Sequence, residues 1–213
     1  IVRTYALPAK YGNIAKAFIT QDEQLNKNDN LPQQEGGKIS RTENPLALNL
    51  YTLGYDASKL LVRLDNAVKH NLRTYLAQYR LLTDSVNILD AYIVNVGIEF
   101  EIVTLNNYNK REVVLRCIEM LKQYFNIERW QINQPIIKAD INYQLALIEG
   151  VQNVTMLRIY NKFGGDYSIY KYDLNNAEPL NDEGEKGGII YPSVDPMIFE
   201  VKFPNTDIEG RAR

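Results

Sequence analysis

The chain has 213 residues, a formal net charge of −2 and a single cysteine. Nearly balanced charge gives no overall positive field to attract nucleic acid or an anionic membrane. One cysteine excludes an internal disulfide framework, and no apolar run approaches the roughly 20 residues that span a bilayer. The length suits one large domain or two small ones. Because the chain starts at Ile1 in strand-like sequence, we expect it to be part of a longer polypeptide.

The first predicted region, residues 1–55, is β-rich. Its predicted strands are Ile1–Leu7, Ile14–Thr20 and Leu46–Tyr55. Between the last two lies a polar stretch, Gln21–Thr42, which has no hydrophobic period and predicts an exposed loop. This loop contains Gly36-Gly37-Lys38, but it lacks the flanking pattern of a phosphate-binding P-loop. We therefore predict no nucleotide site here.

Residues 56–161 are predicted to form an α+β core domain around one long strand, Ala91–Val103, and the amphipathic helix that follows it as far as Phe125. The strand alternates, and its predicted dry side carries Tyr92, Val94, Val96, Ile98, Phe100 and Ile102. The opposite side carries Asn95, Gly97, Glu99 and Glu101. This pattern predicts a sheet with one wet face and with helices on the other.

Further helices are expected before and after this strand in the sequence. Apolar residues three and four apart predict a helix over Lys59–Arg80, capped by Asp56 or Ser58. A second helix is predicted over Pro135–Ile148. Leu81–Asp90 is predicted to be a short strand or a bend, and Val151–Asn161 a strand. The order predicts an antiparallel or mixed sheet with two to three helices packed on one face.

The third region, residues 162–213, is predicted to be a β-rich C-terminal hairpin region. Its predicted strands are Tyr167–Asp173, Ile189–Pro192 and Met197–Phe203. An acidic loop, Asn175–Gly188, separates the first strand from the others.

Two groups of carboxylates are the strongest candidates for chemistry. Glu99 and Glu101 share one strand side and could form an acid/base pair, but their neighbours predict a solvated surface. Asp182, Glu183 and Glu185 could offer oxygen ligands to calcium, but they lack the spacing of an EF-hand loop. We therefore predict no catalytic, cofactor or metal site, and we expect a protein that is not an enzyme.

Three other features have ordinary structural explanations. His70, the only histidine, is expected to be a solvated helix residue, because it lacks partners for a metal site or a triad. Cys117 lies on an apolar helix stripe and is expected to be a small buried side chain. Asn153-Val154-Thr155 matches a glycosylation sequon, but it falls inside a predicted strand and is interpreted as a chance match.

Fifteen tyrosines are many for this length, and tyrosine is favoured in half-buried sheets and at interfaces. The C-terminal region has the highest density of aromatic residues outside the predicted helix-covered core. We hypothesise that it contributes to a subunit contact. The candidate interface residues are Tyr167, Tyr170, Tyr172, Phe199 and Phe203.

Three stretches carry a resemblance to a known family. They are Leu72–Leu76 continuing through Leu82–Ile88, Ile148–Val151 leading into Val154, and Ile190–Arg211. Together they resemble the baseplate-J-like proteins of contractile phage tails. The last stretch, with Pro192-Ser193-Val194-Asp195-Pro196, is the most specific and looks like the T4-type branch of wedge subunits.

The resemblance implies a non-enzymatic structural subunit of the virion, made in the host cytoplasm. Such subunits form homodimers that join into a ring around the tail hub and contact other baseplate wedge proteins. The resemblance supplies no cofactor and no catalytic residue. Family subunits are much longer, so contacts made by their N-terminal parts are in doubt for this chain. Two alternatives stay open: a host-surface or carbohydrate-binding module of a viral particle and, less favoured, an accessory domain of an enzyme.

Overall fold

The computed structural model describes residues 1–21, 47–79, 85–180, 184 and 186–213. Most of the predicted loop 21–42, including Gly36-Gly37-Lys38, lies outside the described residues, as do Asp182, Glu183 and Glu185. Helices and strands of a mixed sheet are both present, so the predicted α+β class is confirmed.

The chain forms two compact units. Unit 1 comprises Ile1–Ile93 and Ser193–Ile198, and unit 2 comprises Val94–Pro192 and Phe199–Arg213. These boundaries differ from the three consecutive regions expected from the sequence, since the region 56–161 contributes residues to both units. The backbone passes from one unit to the other inside a strand at Ile93 and again at Ile198.

Unit 1 is built around strand β2. Its elements are α1 (Val2–Tyr5), β1 (Lys16–Gln21), β2 (Ala47–Tyr55), β3 (Leu61–Val62), α2 (Asn66–Ala77) and β4 (Ser85–Asp90). Strand β2 is antiparallel to β1 and β3 and parallel to β4. One cluster of buried core residues in this unit contains Leu7, Ile14, Leu50, Leu64, Leu72 and Ile88.

Two predictions for unit 1 are wrong. The segment Ile1–Leu7 contains the short helix Val2–Tyr5 rather than a strand, and within this helix only Thr4 is buried. Helix α2 begins after Asp65 rather than near residue 59. Asp56 instead holds a turn, because its Oδ1 accepts the N–H groups of Ser58 and Leu60 at 2.8 Å each.

Unit 2 is built around strand β5, which enters it at Val94. Its elements are β5 (Tyr92–Thr104), α3 (Lys110–Tyr124), β6 (Ile136–Ile137), α4 (Lys138–Ala146), β7 (Val151–Lys162), β8 (Ile189–Ile190), β9 (Met197–Glu200), α5 (Pro204–Asp207) and β10 (Ile208–Ala212). Strand β5 lies between β10, which is parallel to it, and β7, which is antiparallel. Strand β9 also pairs with β5, and β6 pairs with β8.

Helices α3 and α4 cover the apolar side of this sheet. Helix α3 packs on β10 and α4 on β7, and the two helices contact each other. Asn109 caps α3 by accepting the N–H of Arg111 at 3.0 Å. On β10, Gly210 is required by packing, because a Cβ atom there would lie 2.3 Å from the ring of Phe100.

The described residues of the C-terminal region do not form the predicted hairpin. Strand β8 pairs with β6, while β9 and β10 each pair with β5, so these C-terminal strands do not pair with one another. Residues 167–173 are irregular rather than a strand. The chain turns before them at Gly164 and Gly165, which have φ values of 77° and 58°. The predicted helix start at Pro135 is also wrong, because Ile136 and Ile137 form β6.

None of the helices in the described ranges combines the length and the apolar character needed to cross a bilayer.

Replacing Gly210 with alanine should destabilise the protein by about 1–3 kcal/mol, because the new methyl group overlaps the Phe100 ring. Urea unfolding of the wild type and of Gly210→Ala measures the change. The double variant Gly210→Ala/Phe100→Leu provides the control, since a smaller side chain leaves room for the methyl group. Equal alanine penalties in both backgrounds would contradict the proposed clash.

Candidate interaction surface

The five predicted interface aromatics lie in unit 2, but they are mainly used for internal packing. Phe199 is 1 % exposed and Tyr170 is 8 % exposed, so neither offers surface to a partner in this conformation. Tyr167, Tyr172 and Phe203 are half-buried. Of the five predicted interface residues, only these three keep a substantial exposed surface.

Tyr167 and Phe203 form an edge-to-face pair with ring centroids 5.5 Å apart. Beside them lies a fully buried carboxylate, Asp207. Its Oδ1 accepts hydrogen bonds from Lys162 Nζ and Tyr167 Oη at 2.7 Å each, and its Oδ2 accepts the N–H of Phe203 at 2.8 Å. The group Lys162, Tyr167 and Asp207 is called the anchor cluster below.

The anchor cluster joins three parts of unit 2: the end of β7, the irregular segment after it and helix α5. Burial lowers the pKa of Lys162, but hydrogen bonds with Asp207 and Tyr167 outweigh burial and raise this pKa above the ordinary lysine value. Lys162 therefore stays charged and neutralises the buried carboxylate. Because both oxygens of Asp207 are occupied and the residue has no exposed surface, the cluster is built for holding structure rather than for contacting a substrate.

A second polar network replaces the predicted strand pairing of residues 167–173. Asn95, which the sequence placed on the wet side of β5, is buried, and its Nδ2 donates to Glu200 Oε2 at 2.8 Å. Asn95 Oδ1 accepts the N–H of Ser168 at 2.7 Å. Asn161 Oδ1 accepts the N–H of Tyr172 at 3.0 Å. Side-chain amides thus satisfy backbone groups that a sheet ladder would otherwise satisfy.

Tyr172 and Phe199 form a second aromatic pair, with ring centroids 6.0 Å apart. Tyr172 Oη donates to the carbonyl oxygen of Tyr191 at 2.8 Å. Burial, with the nearby charge of Asp173, raises the pKa of Tyr172 to about 12. This hydroxyl is therefore protonated at neutral pH and ties residue 172 to the segment that follows β8.

The exposed apolar side chains of this region are ones that the sequence analysis did not single out. Ile169 is 73 % exposed, and Phe163 and Tyr191 are also exposed. Lys171 Nζ lies 5.4 Å from the Phe163 ring centroid. The next residue, Tyr172, donates its hydroxyl hydrogen bond to the backbone of Tyr191. Phe163, Ile169, Lys171 and Tyr191 are called the 163–191 surface. No period marks them in the sequence, because they follow an irregular chain path.

The predicted wet side of β5 is largely covered: Asn95 and Gly97 are buried, and the candidate pair Glu99 and Glu101 is half-buried. Glu99 Oε2 is 3.9 Å from Arg158 Nη1, and Glu101 forms an ion pair with Arg213. The register of β10 places Glu209 beside Glu99. Glu99 and Glu101 therefore each have an arginine beside them, which is typical of charge pairing across a sheet.

The remaining candidates have their expected positions. His70 is exposed on α2, and Cys117 is fully buried on α3. Burial raises the pKa of the Cys117 thiol to about 11, so the thiolate is scarce at neutral pH. Asn153 lies within β7 and is exposed. In the part of the chain that the structure describes, no group of three or more His, Cys, Asp or Glu residues is arranged to hold a metal ion.

No protein-family model matches the chain, and no curated protein sequence matches it significantly.

Replacing Lys162 with methionine should destabilise the protein by roughly 3–5 kcal/mol, because it leaves the buried Asp207 charge without its cation. Urea unfolding measures the loss. Adding Asp207→Asn should recover part of it, since asparagine still accepts hydrogen bonds but carries no charge. The matched control is Arg116→Met, which removes an exposed ion pair with Glu112 and should cost no more than about 0.5 kcal/mol. If Lys162→Met costs no more than the control, Lys162 does not stabilise the fold by neutralising Asp207.

Tyr172 should titrate about two units above a free tyrosine in the folded protein. A pKa raised by folding means that the folded state holds its proton more tightly. The contribution of Tyr172 to stability is therefore complete below about pH 10 and is lost as the pH rises towards 12. Phenolate absorbance, taken as the difference between the wild type and Tyr172→Phe, measures the midpoint. In urea the unfolded protein provides the reference, and its midpoint should lie near 10. A midpoint near 10 for the folded protein would contradict the burial of Tyr172.

Proposed function

We propose that this chain is a structural subunit of a contractile phage tail baseplate, where it self-associates into dimers and a ring around the tail hub. It resides in the virion and acts without a cofactor or a chemical reaction. Its partners are a second copy of the chain and other baseplate wedge proteins.

The assignment to baseplates rests on the resemblance of Ile190–Arg211 to the T4-type wedge subunits. The geometry of this stretch is compatible with a structural role. It contributes β8, β9, α5 and β10 to the fold, and it supplies Asp207 to the anchor cluster. In this stretch the side chains of Met197, Ile198 and Phe199 are fully buried. Its residues are thus required for packing, which accounts for a distinctive sequence without a reactive group.

The single observation that carries self-association is the 163–191 surface. Ile169, Phe163 and Tyr191 expose apolar side chains in a region that is otherwise fixed by two buried polar networks. Aromatic and aliphatic anchors on a firmly held backbone are what protein interfaces use, because little conformational entropy is lost on binding. This surface replaces all five predicted aromatics as the proposed contact, because Tyr170 and Phe199 are buried and the other three make internal contacts.

A host-surface or carbohydrate-binding module is the second candidate, and the exposed rings of Phe163 and Tyr191 favour it. Exposed aromatic rings can stack on the apolar faces of sugars, whereas the self-association proposal needs Ile169 as well. A glycan array distinguishes the two, since saturable glycan binding by a monomeric chain would replace self-association as the proposed role.

Light scattering tests the proposal directly. At concentrations of tens of micromolar we expect a particle with twice the mass of one 24.5 kDa chain. The variant Ile169→Asp should shift the particle to the mass of one chain, because burying the new carboxylate in a contact is unfavourable. Folding of the variant is checked by circular dichroism.

The matched control is Leu147→Asp, which changes a side chain that is 61 % exposed after helix α4. It should leave the mass of the particle unchanged. A wild-type protein that stays monomeric at millimolar concentration would contradict self-association. If the Ile169→Asp variant forms a dimer as stable as the wild-type dimer, the 163–191 surface is not the dimer contact.

A further inference from the structure

Strand β10 forms one edge of the unit 2 sheet. Among the described residues it pairs with β5 alone, over Ile208–Ala212. The N–H of Arg213 donates to Ile102, and the carbonyl oxygen of Arg213 accepts from Thr104, so both polar groups of residue 213 face β5. In a parallel ladder this orientation alternates along the strand. The N–H and C=O groups of Gly210 and Ala212 therefore point away from β5, towards the free edge.

Beside this edge lies an open groove of about 430 Å³ between β10 and α3. It is lined by Lys110, Arg111, Val114, Leu115, Gly210 and Ala212. The groove exists because Gly210 and Ala212 have small side chains on the side that α3 covers. The Phe100 ring fixes the choice of glycine at 210, since a larger residue would overlap it.

Leu115 lines the groove and is 62 % exposed, so its side chain is accessible to a ligand there. Val114 lies next to it and is half-buried. These two residues give the groove an apolar wall that runs along the free edge of β10. An edge with unused backbone groups and an adjacent apolar pocket is the arrangement that binds an added strand.

One end of the groove is cationic. Lys110 and Arg111 occupy the first turn of α3, where the helix dipole disfavours positive charge. Glu112 does not neutralise them through an ion pair, since its carboxylate pairs with Arg116 at 2.6 Å. Within the described part of the chain, Lys110 and Arg111 form no ion pair with an acidic side chain. Two cations that act against the helix they begin indicate a use outside the fold.

The spacing of these features matches an extended chain. Lys110 and Arg111 precede Val114 and Leu115 by four residues, a rise of about 6 Å along the helix. Two residues of a strand span about 6.7 Å and point to the same side. One strand next to β10 can therefore place an acidic side chain at the cationic end and an apolar side chain against Leu115.

We propose that the free edge of β10 binds an extended segment of another polypeptide, in which an acidic residue and an aliphatic residue two positions apart face the groove. The backbone of this segment pairs with Gly210 and Ala212. Its aliphatic side chain packs on Val114 and Leu115, and its carboxylate binds Lys110 and Arg111. This contact goes beyond the proposed self-association and does not depend on it, because it uses none of the residues of the 163–191 surface.

The test uses the whole chain and two fluorescein-labelled peptides, Ser-Thr-Glu-Thr-Leu-Thr-Ser and Ser-Thr-Leu-Thr-Glu-Thr-Ser, which cover both strand directions. We expect a saturable rise in anisotropy below about 1 mM for one of them. Replacing its glutamate with lysine should abolish binding. In a nuclear magnetic resonance titration, the amide signals of Gly210 and Ala212 should shift.

Variants separate the groove from non-specific binding. Leu115→Asp should weaken peptide binding by at least about tenfold, whereas Leu147→Asp, at an equally exposed position, should leave it unchanged. The double variant Lys110→Glu/Arg111→Glu should prefer the lysine peptide to the glutamate peptide, which unfolding of the variant cannot produce. Absence of saturation by either peptide up to 1 mM would overturn the proposal, as would equal losses in Leu115→Asp and Leu147→Asp.

Discussion

Strand β5 has to satisfy its backbone groups on both edges, because it is buried along most of its length from Val94 to Thr104. Strand β7 supplies partners on one edge of β5, and β9 and β10 also pair with β5. These partners come from distant parts of the chain, so β5 can be buried only when the C-terminal segment has returned to it. This requirement fixes the path of residues 199–213 and leads to the buried anchor cluster beside it.

The anchor cluster and the Asn95 network show how an irregular segment can be held as firmly as a strand. Residues 162–173 contain two consecutive glycines with positive φ, so they cannot continue the ladder of β7. Side chains of Asn95, Asn161 and Asp207 accept their polar groups instead. A rigid backbone results, and it presents Ile169 to the outside without a sheet beneath it.

The two proposed contact surfaces of unit 2 differ in their physics. The 163–191 surface is made of exposed side chains and would gain affinity from apolar burial. The β10 edge offers backbone hydrogen bonds with a cationic end, so its affinity should depend on register and on salt. Because they share no residues, the two proposed contacts do not exclude each other.

The sequence alone determined the elements with the strongest periods. The alternation from Ala91 to Val103 predicted β5, and the apolar stripe through Cys117 predicted α3, because burial on one side imposes a period of two or of 3.6 residues. It also predicted the burial of Cys117. Tertiary structure alone decided that Asn95 is buried, that the tyrosine-rich segment 167–173 is irregular, and that one edge of β10 is free. Asn95 is bonded to Glu200, 105 residues away, and Ser168 to Asn95, 73 residues away. Local side-chain patterns carry no information about such partners, nor about the lack of one at β10.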